Sequence, residues 1–143
     1  MELPVGGGMA YTAGVNTKIN VEKQVEYWRK GGQEDWDVGA DLVRRGKSRH
    51  GLFFVHLALE KTLKAHVCRA TSDFAPKIHV LLVLAQKAAL PVSEDQKDFL
   101  TTFDRFNIAG RYPDSRGPVP GKAEALKQLE KAQEMFKWLT KQF

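Results

Sequence analysis

Apolar residues recur at three- and four-residue intervals along most of the chain, the period of helices that bury one face. The first series is Val21, Val25, Trp28 and then Trp36, Ala40, Val43. Gly31-Gly32 falls between its halves, and glycine inside a helix costs about 1 kcal/mol relative to alanine. The stretch from about Val21 to Arg45 therefore predicts one bent helix, with Gly46 as its C-cap. Ser48 to Arg69 predicts a second helix, with Leu52, Val55, Leu59 and Leu63 on a broad apolar face. Proline is tolerated at a helix start, so the break at Pro76 allows a third helix from near Lys77 to Ala89. Its centre, Val80 to Ala85, has the composition of a buried strand, but the chain offers no partner strand, and it reads as a buried helix. Ser93-Glu94-Asp95-Gln96 has the form of a capping box. Phe99, Phe103 and Phe106 follow at helical spacing, and Gly110 ends this fourth helix. Three prolines and two glycines between Arg111 and Gly121 make that stretch a loop. Last, Ala125, Leu126, Leu129, Ala132, Phe136, Leu139 and Phe143 form the stripe of a fifth helix from Lys122. The pattern predicts an all-α, antiparallel up-and-down bundle of about five helices over residues 18–143. Residues 1–17 carry Gly6-Gly7-Gly8 and no apolar period, and read as a flexible tail.

Composition adds limits. The 143 residues suit one domain, and 43% hydrophobic content suits a packed core rather than a disordered chain. Cys68, the only cysteine, excludes an internal disulfide and a cysteine-based zinc cluster, and fits a reducing cytoplasm. The longest aliphatic run, Val80 to Ala85, is far short of the ~20 residues a membrane span needs. The first residues lack the basic and apolar regions of a secretory signal, so the expected location is cytoplasmic, with no membrane partner. A formal charge of +5 favours polyanions such as nucleic acid or nucleotide. Its distribution is uneven. Between Asp41 and Ala70 lie Arg44, Arg45, Lys47, Arg49, Lys61, Lys64 and Arg69, opposed by Asp41 and Glu60 alone, so this stretch carries the whole excess.

No metal constellation is present. His56 and His66 are ten residues apart, which is not the i,i+4 spacing of a helical ligand pair. His79 follows a proline turn and reads as a capping or hydrogen-bonding histidine. Gly6-Gly7-Gly8 lacks the following lysine and preceding strand of a phosphate loop, and no cofactor is expected. Glu60 and Lys64 are an i,i+4 pair, either a solvated surface pair or, with Lys61, part of a polar patch. Arg111, Tyr112 and Asp114 could form a corner that contacts phosphate and stacks on a base, or a purely structural loop.

Several fragments in order carry a family likeness. They are Tyr27-Trp28, Asp41-Leu42, Phe54-Val55-His56-Leu57-Ala58-Leu59-Glu60-Lys61-Thr62-Leu63-Lys64-Ala65, Pro76-Lys77-Ile78-His79-Val80-Leu81 and Arg111-Tyr112-Pro113-Asp114. Together they resemble the HEPN domain family over about Val21 to Leu139. The resemblance implies a helical bundle, commonly a homodimer. Many such domains are encoded beside a minimal nucleotidyltransferase as the toxin half of a toxin–antitoxin pair. Many are metal-independent ribonucleases, and others resemble nucleotide-binding modules.

The family's ribonucleases use an arginine, four to six spacer residues and a histidine. Histidine transfers a proton near neutral pH, and arginine stabilises charge on the phosphorane. Arg111 best matches the arginine, but no histidine follows His79 anywhere in the chain. The spacing recurs at Arg44 or Arg45 with His50, and at Arg49 with His56, at the junction of the first two helices. Arg45, His50 and His56 are therefore the catalytic candidates. The expected function is a nucleotide- or RNA-binding homodimer paired with a nucleotidyltransferase, with contacts from Arg44, Arg45, Arg49, Lys61, Lys64, Arg111, Tyr112 and Asp114. An active endoribonuclease and a non-catalytic interaction scaffold are the alternatives.

Overall fold

The computed structural model describes residues 19–112 and 119–143. The expected tail and Asp114 lie outside the described residues. Six helices follow in order: α1 (Val21–Arg44), α2 (Ser48–Thr71), α3 (Leu81–Lys87), α4 (Glu94–Phe103), α5 (Arg105–Arg111) and α6 (Lys122–Lys141). No strand occurs among the described residues. The chain is an all-α bundle.

The differences from expectation are local. The fourth predicted helix is two, because the chain turns at Asp104, where Asn107 N donates to the Asp104 carbonyl one residue short of the α-helical partner. The third helix starts at Leu81 rather than near Lys77, so Lys77 to Val80 is an extended approach that brings His79 against α2. α1 passes through Gly31-Gly32 as one continuous helix.

The caps follow the sequence. Asn20 accepts from Lys23 N at 3.0 Å and starts α1. At its other end Gly46 takes φ +83°, Gly46 N donates to Val43 O and Lys47 N to Leu42 O, the paired bonds of a left-handed helix stop. Ser93 and Gln96 form a reciprocal capping box on α4.

α2 is the central element, and α1, α3, α5 and α6 all pack on it. Its buried residues, from Leu52 and Val55 to Leu63 and Val67, cover all of the helix but the side of His50, Phe54, Leu57 and Lys61. The main core joins these to Trp36 and Val43 of α1, Leu81 and Leu84 of α3, Phe103 and Phe106, and Leu129, Phe136 and Leu139 of α6. Trp36 stacks on Phe136 with ring centroids 4.7 Å apart. A smaller cluster of Val25, Ala65 and Cys68 sits at the other end of the α1–α2 hairpin. α1 and α2 approach at backbone distance: a Cβ on Gly39 would lie 2.9 Å from Gly51 O, and one on Gly51 3.0 Å from Gly39 O.

Candidate functional site

α2 buries most of its circumference and leaves only the side of His50, Phe54, Leu57 and Lys61 partly open, so polar residues on its other sides are forced inside. His56 is 0% exposed, Glu60 4% and Lys64 6%. Their spacing of four residues stacks them on one face of the helix. Charges this deep persist only when paired. Lys64 Nζ lies 3.0 Å from Glu60 Oε2, and the same oxygen accepts from His79 Nδ1 at 2.9 Å. His56 Nε2 donates to Asp104 Oδ1 at 2.9 Å, and Leu81 N donates to that oxygen at 3.3 Å. Between the two halves, His56 Nδ1 and Glu60 Oε1 face each other 3.8 Å apart, each without a hydrogen-bond partner. The Lys64 ammonium also lies 5.2 Å from the Trp28 ring centre.

The cluster therefore runs Asp104, His56, Glu60, His79, with Lys64 and Trp28 alongside. Counted by formal charge, Asp104 and Glu60 against Lys64 leave one negative charge beside the two imidazoles. The chain reaches solvent at both ends, through Asp104 and through His79, whose side chain is 52% exposed. The i,i+4 pair of Glu60 and Lys64 seen in the sequence is thus a buried ion pair. Lys61, one residue on from Glu60, turns to α1, where its Nζ lies 2.8 Å from Asp35 Oδ2, a charge contact whose angles fall outside hydrogen-bond geometry.

The expected contact residues divide into two places. Arg44, Arg45 and Lys47 are exposed and Arg49 partly so, at the turn between α1 and α2. There Arg45 pairs with Asp41 at 3.0 Å. One turn after Arg49 on α2 comes Phe53, against which Gly110 of α5 packs. The Arg111 guanidinium lies 5.4 Å from the centre of the Phe53 ring, and its Nε donates to Asn107 at 2.9 Å. Tyr112 follows, 62% exposed. The fold thus joins the α1–α2 junction to the start of the Arg-Tyr loop across Phe53. Lys64 belongs instead to the internal network, and the partly exposed Lys61 pairs with Asp35 of α1.

The catalytic candidates are not assembled. His56 is sealed in the core and held by Asp104. His50 is exposed, with no hydrogen bond to an orienting group among the described residues, and Arg45 is engaged by Asp41. Among the described residues no three metal-binding side chains converge on one point. No described helix is long and apolar enough to cross a membrane. A groove of about 710 Å³ opens elsewhere, between α4 and α6 over Phe99, Met135 and Trp138, and none of the expected residues lines it. Sequence reasoning missed Asp104, Asp35 and the joining of His79 to Glu60. The available signal was the polar series His56, Glu60, Lys64 at helical spacing inside an apolar helix.

The profile of the HEPN domain family matches residues 25–142. The chain belongs to the HEPN domain family. Among solved structures it is similar to TT1696 from Thermus thermophilus, at 22% identity and a TM-score of 0.69, over 84% of this chain and 98% of that one. That likeness is one of fold. No curated protein matches the sequence. The HEPN bundle seen here places the most family-like segment, residues 54–65, on the buried helix α2, and the Pro76 to Leu81 segment directly against it.

Proposed function

We propose that this HEPN protein binds RNA or nucleotide phosphates through the corner formed by Arg44, Arg45, Lys47 and Arg49, extended by Arg111 and Tyr112. The observation that carries this is the exposed concentration of cations at the α1–α2 turn, with Asp41 as its one acidic neighbour along the chain. Arginine forks match phosphate oxygens, and an exposed tyrosine offers a stacking face for a base. The family supports a homodimer working in the cytoplasm beside a minimal nucleotidyltransferase, in a toxin–antitoxin-like pair.

Titration of a labelled single-stranded RNA at two salt concentrations tests the reading. Each phosphate contact on a single strand contributes about 0.7 to the slope of log affinity against log salt. Changing Arg44, Arg45 and Arg49 to glutamine should weaken binding at low salt and flatten that slope by about 2. Changing Lys127, Lys131 and Lys141 on α6 should have a much smaller effect. Equal losses from both sets would show general charge attraction without a corner. Absence of binding at low salt favours the interaction scaffold.

A further inference from the structure

Phosphate binding at the α1–α2 corner makes no use of the groove between α4 and α6. The groove's floor is Phe99 of α4 with Met135 and Trp138 of α6, all part of the main core or packed against it. Met135 is buried, whereas Phe99 and Trp138 are only half-buried and offer their rings to whatever enters. A concavity of about 710 Å³ with an apolar, partly aromatic floor and a few polar groups around it has the make-up of a small-molecule site. A partner protein would need a wider area, about 800 Å² on each side.

The charges on the rim point to the class of ligand. Several polar groups there are already engaged within the chain. Gln96 caps α4 through Ser93 N, Thr102 Oγ1 donates to Phe99 O, and Gln128 Nε2 donates to Glu124 Oε2. The Arg105 guanidinium lies over the Phe106 ring, 4.6 Å from its centre. That leaves Asp95 and Asp98 of α4, and Lys131 and Glu134 of α6. All four are exposed, and none makes an ion pair or a side-chain hydrogen bond among the described residues; the ion pair on α4 is Lys97 with Glu94. Asp95 sits in the first turn of α4 and complements the helix end. Asp98 and Glu134 lie beyond the first turns of their helices, where that field has fallen away. Even with Lys131 and Arg105 both counted, three carboxylates keep the rim anionic in a chain whose formal charge is +5. The faces of Trp138 and Phe99 add the attraction of an aromatic ring for a cation.

We propose that this groove binds a small organic cation, a protonated amine carried on a flat apolar body. The body lies on Phe99, Met135 and Trp138. The ammonium is held among Asp95, Asp98 and Glu134, over the edge of the aromatic floor. The site is separate from the phosphate-binding corner in position and opposite to it in charge, so either can fail without the other.

Phenethylamine, a cation at neutral pH, is the probe. Hydrocinnamate and phenethyl alcohol supply the anion and the neutral molecule of similar shape. Each is titrated into the isotope-labelled full chain while the Trp138 indole N–H resonance is followed, assigned by its loss in Trp138→Phe. Phenethylamine should shift that resonance together with the amides of α4 and α6 beside it. It should bind about 10-fold or more tightly than hydrocinnamate. The combined exposed substitutions Asp95→Asn, Asp98→Asn and Glu134→Gln should weaken phenethylamine by about 10-fold and leave phenethyl alcohol unchanged. Trp138→Leu should weaken phenethylamine by about threefold, and Trp138→Phe by less, since it keeps an aromatic face. Should Trp138→Leu fail to fold, the three exposed substitutions carry the test. Equal affinity for all three probes would show an apolar groove with no selection for charge and overturn the proposal. So would shifts confined to the α1–α2 turn, or no shift at about 10 mM probe.

Discussion

Two residues at the far end of α2 show what burial does to a titratable group. His66 is enclosed between α2 and α6, where its Nε2 donates to Leu139 O at 2.8 Å and its ring stacks on Phe143. Burial pushes its pKa below the ordinary 6.5; the Leu139 carbonyl opposes this, and the charges of Arg69 and Arg29 add to it. The folded chain therefore holds fewer protons here than the unfolded chain at pH values between the lowered value and 6.5. The stability from neutral His66 is complete above pH 6.5 and is lost as pH falls through the folded value. Urea denaturation from about pH 7 to pH 5 should show a smaller loss of stability in His66→Gln than in wild type. An identical loss would show that other groups govern the acid limb. Cys68, fully buried nearby, has its thiol pushed up by burial and by the charge of Asp73. It should not react with a thiol reagent at neutral pH in the folded chain and should react fully in denaturant.

At the scale of elements, the glycines of α1 have different roles that spacing cannot separate. Gly31 faces the flexible end of Lys61, with a Cβ reaching Lys61 Cδ at 3.2 Å. Gly32 sits against α2 itself, where a Cβ would meet Thr62 Oγ1 at 2.6 Å and Ala58 O at 3.1 Å. Gly31→Ala should therefore stabilise the chain by about 0.5–1 kcal/mol, as a helix-interior glycine whose new Cβ asks only a small shift of the flexible Lys61 side chain. Gly32→Ala should destabilise it by about 1–3 kcal/mol, because two backbones must part. Thermal unfolding of the two variants checks the opposite signs. Helix type was legible because the 3.6-residue period and the caps at Gly46 and Ser93 are local. The break at Asp104 was not, since Phe99, Phe103 and Phe106 keep one period across it, while the Asp104 side chain answers to His56 and Leu81 from other elements.

For the whole molecule, the internal charge network ties α2 to the α2–α3 approach and to the α4–α5 turn. Lys64→Met should cost about 3 kcal/mol, because it leaves the Glu60 carboxylate buried with His79 alone. Adding Glu60→Gln should recover part of that loss, since the uncompensated charge then disappears. Chemical denaturation of the single and double variants measures the coupling. The same assembly decides which cations can meet a ligand. Arg44, Arg45 and Lys47 remain exposed and Arg111 joins their side through Phe53, whereas Lys64 is consumed inside.

By itself the sequence determined the helical character of the chain, the caps at Gly46 and Ser93, the concentration of charge between Asp41 and Ala70 and, through the segment from Phe54 to Ala65, the family. All of these are written in neighbouring residues, through periods of three or four and through chain order. Only the tertiary structure decided that Glu60 and Lys64 are internal and that His79 and Asp104 complete their network. It also decided that His56 is closed to a ligand and that the Arg-Tyr segment returns to α2. The physical reason is burial from several directions. An apolar stripe shows that a helix has a buried face, but whether a second face is covered depends on how many other helices pack on it, and α2 has four.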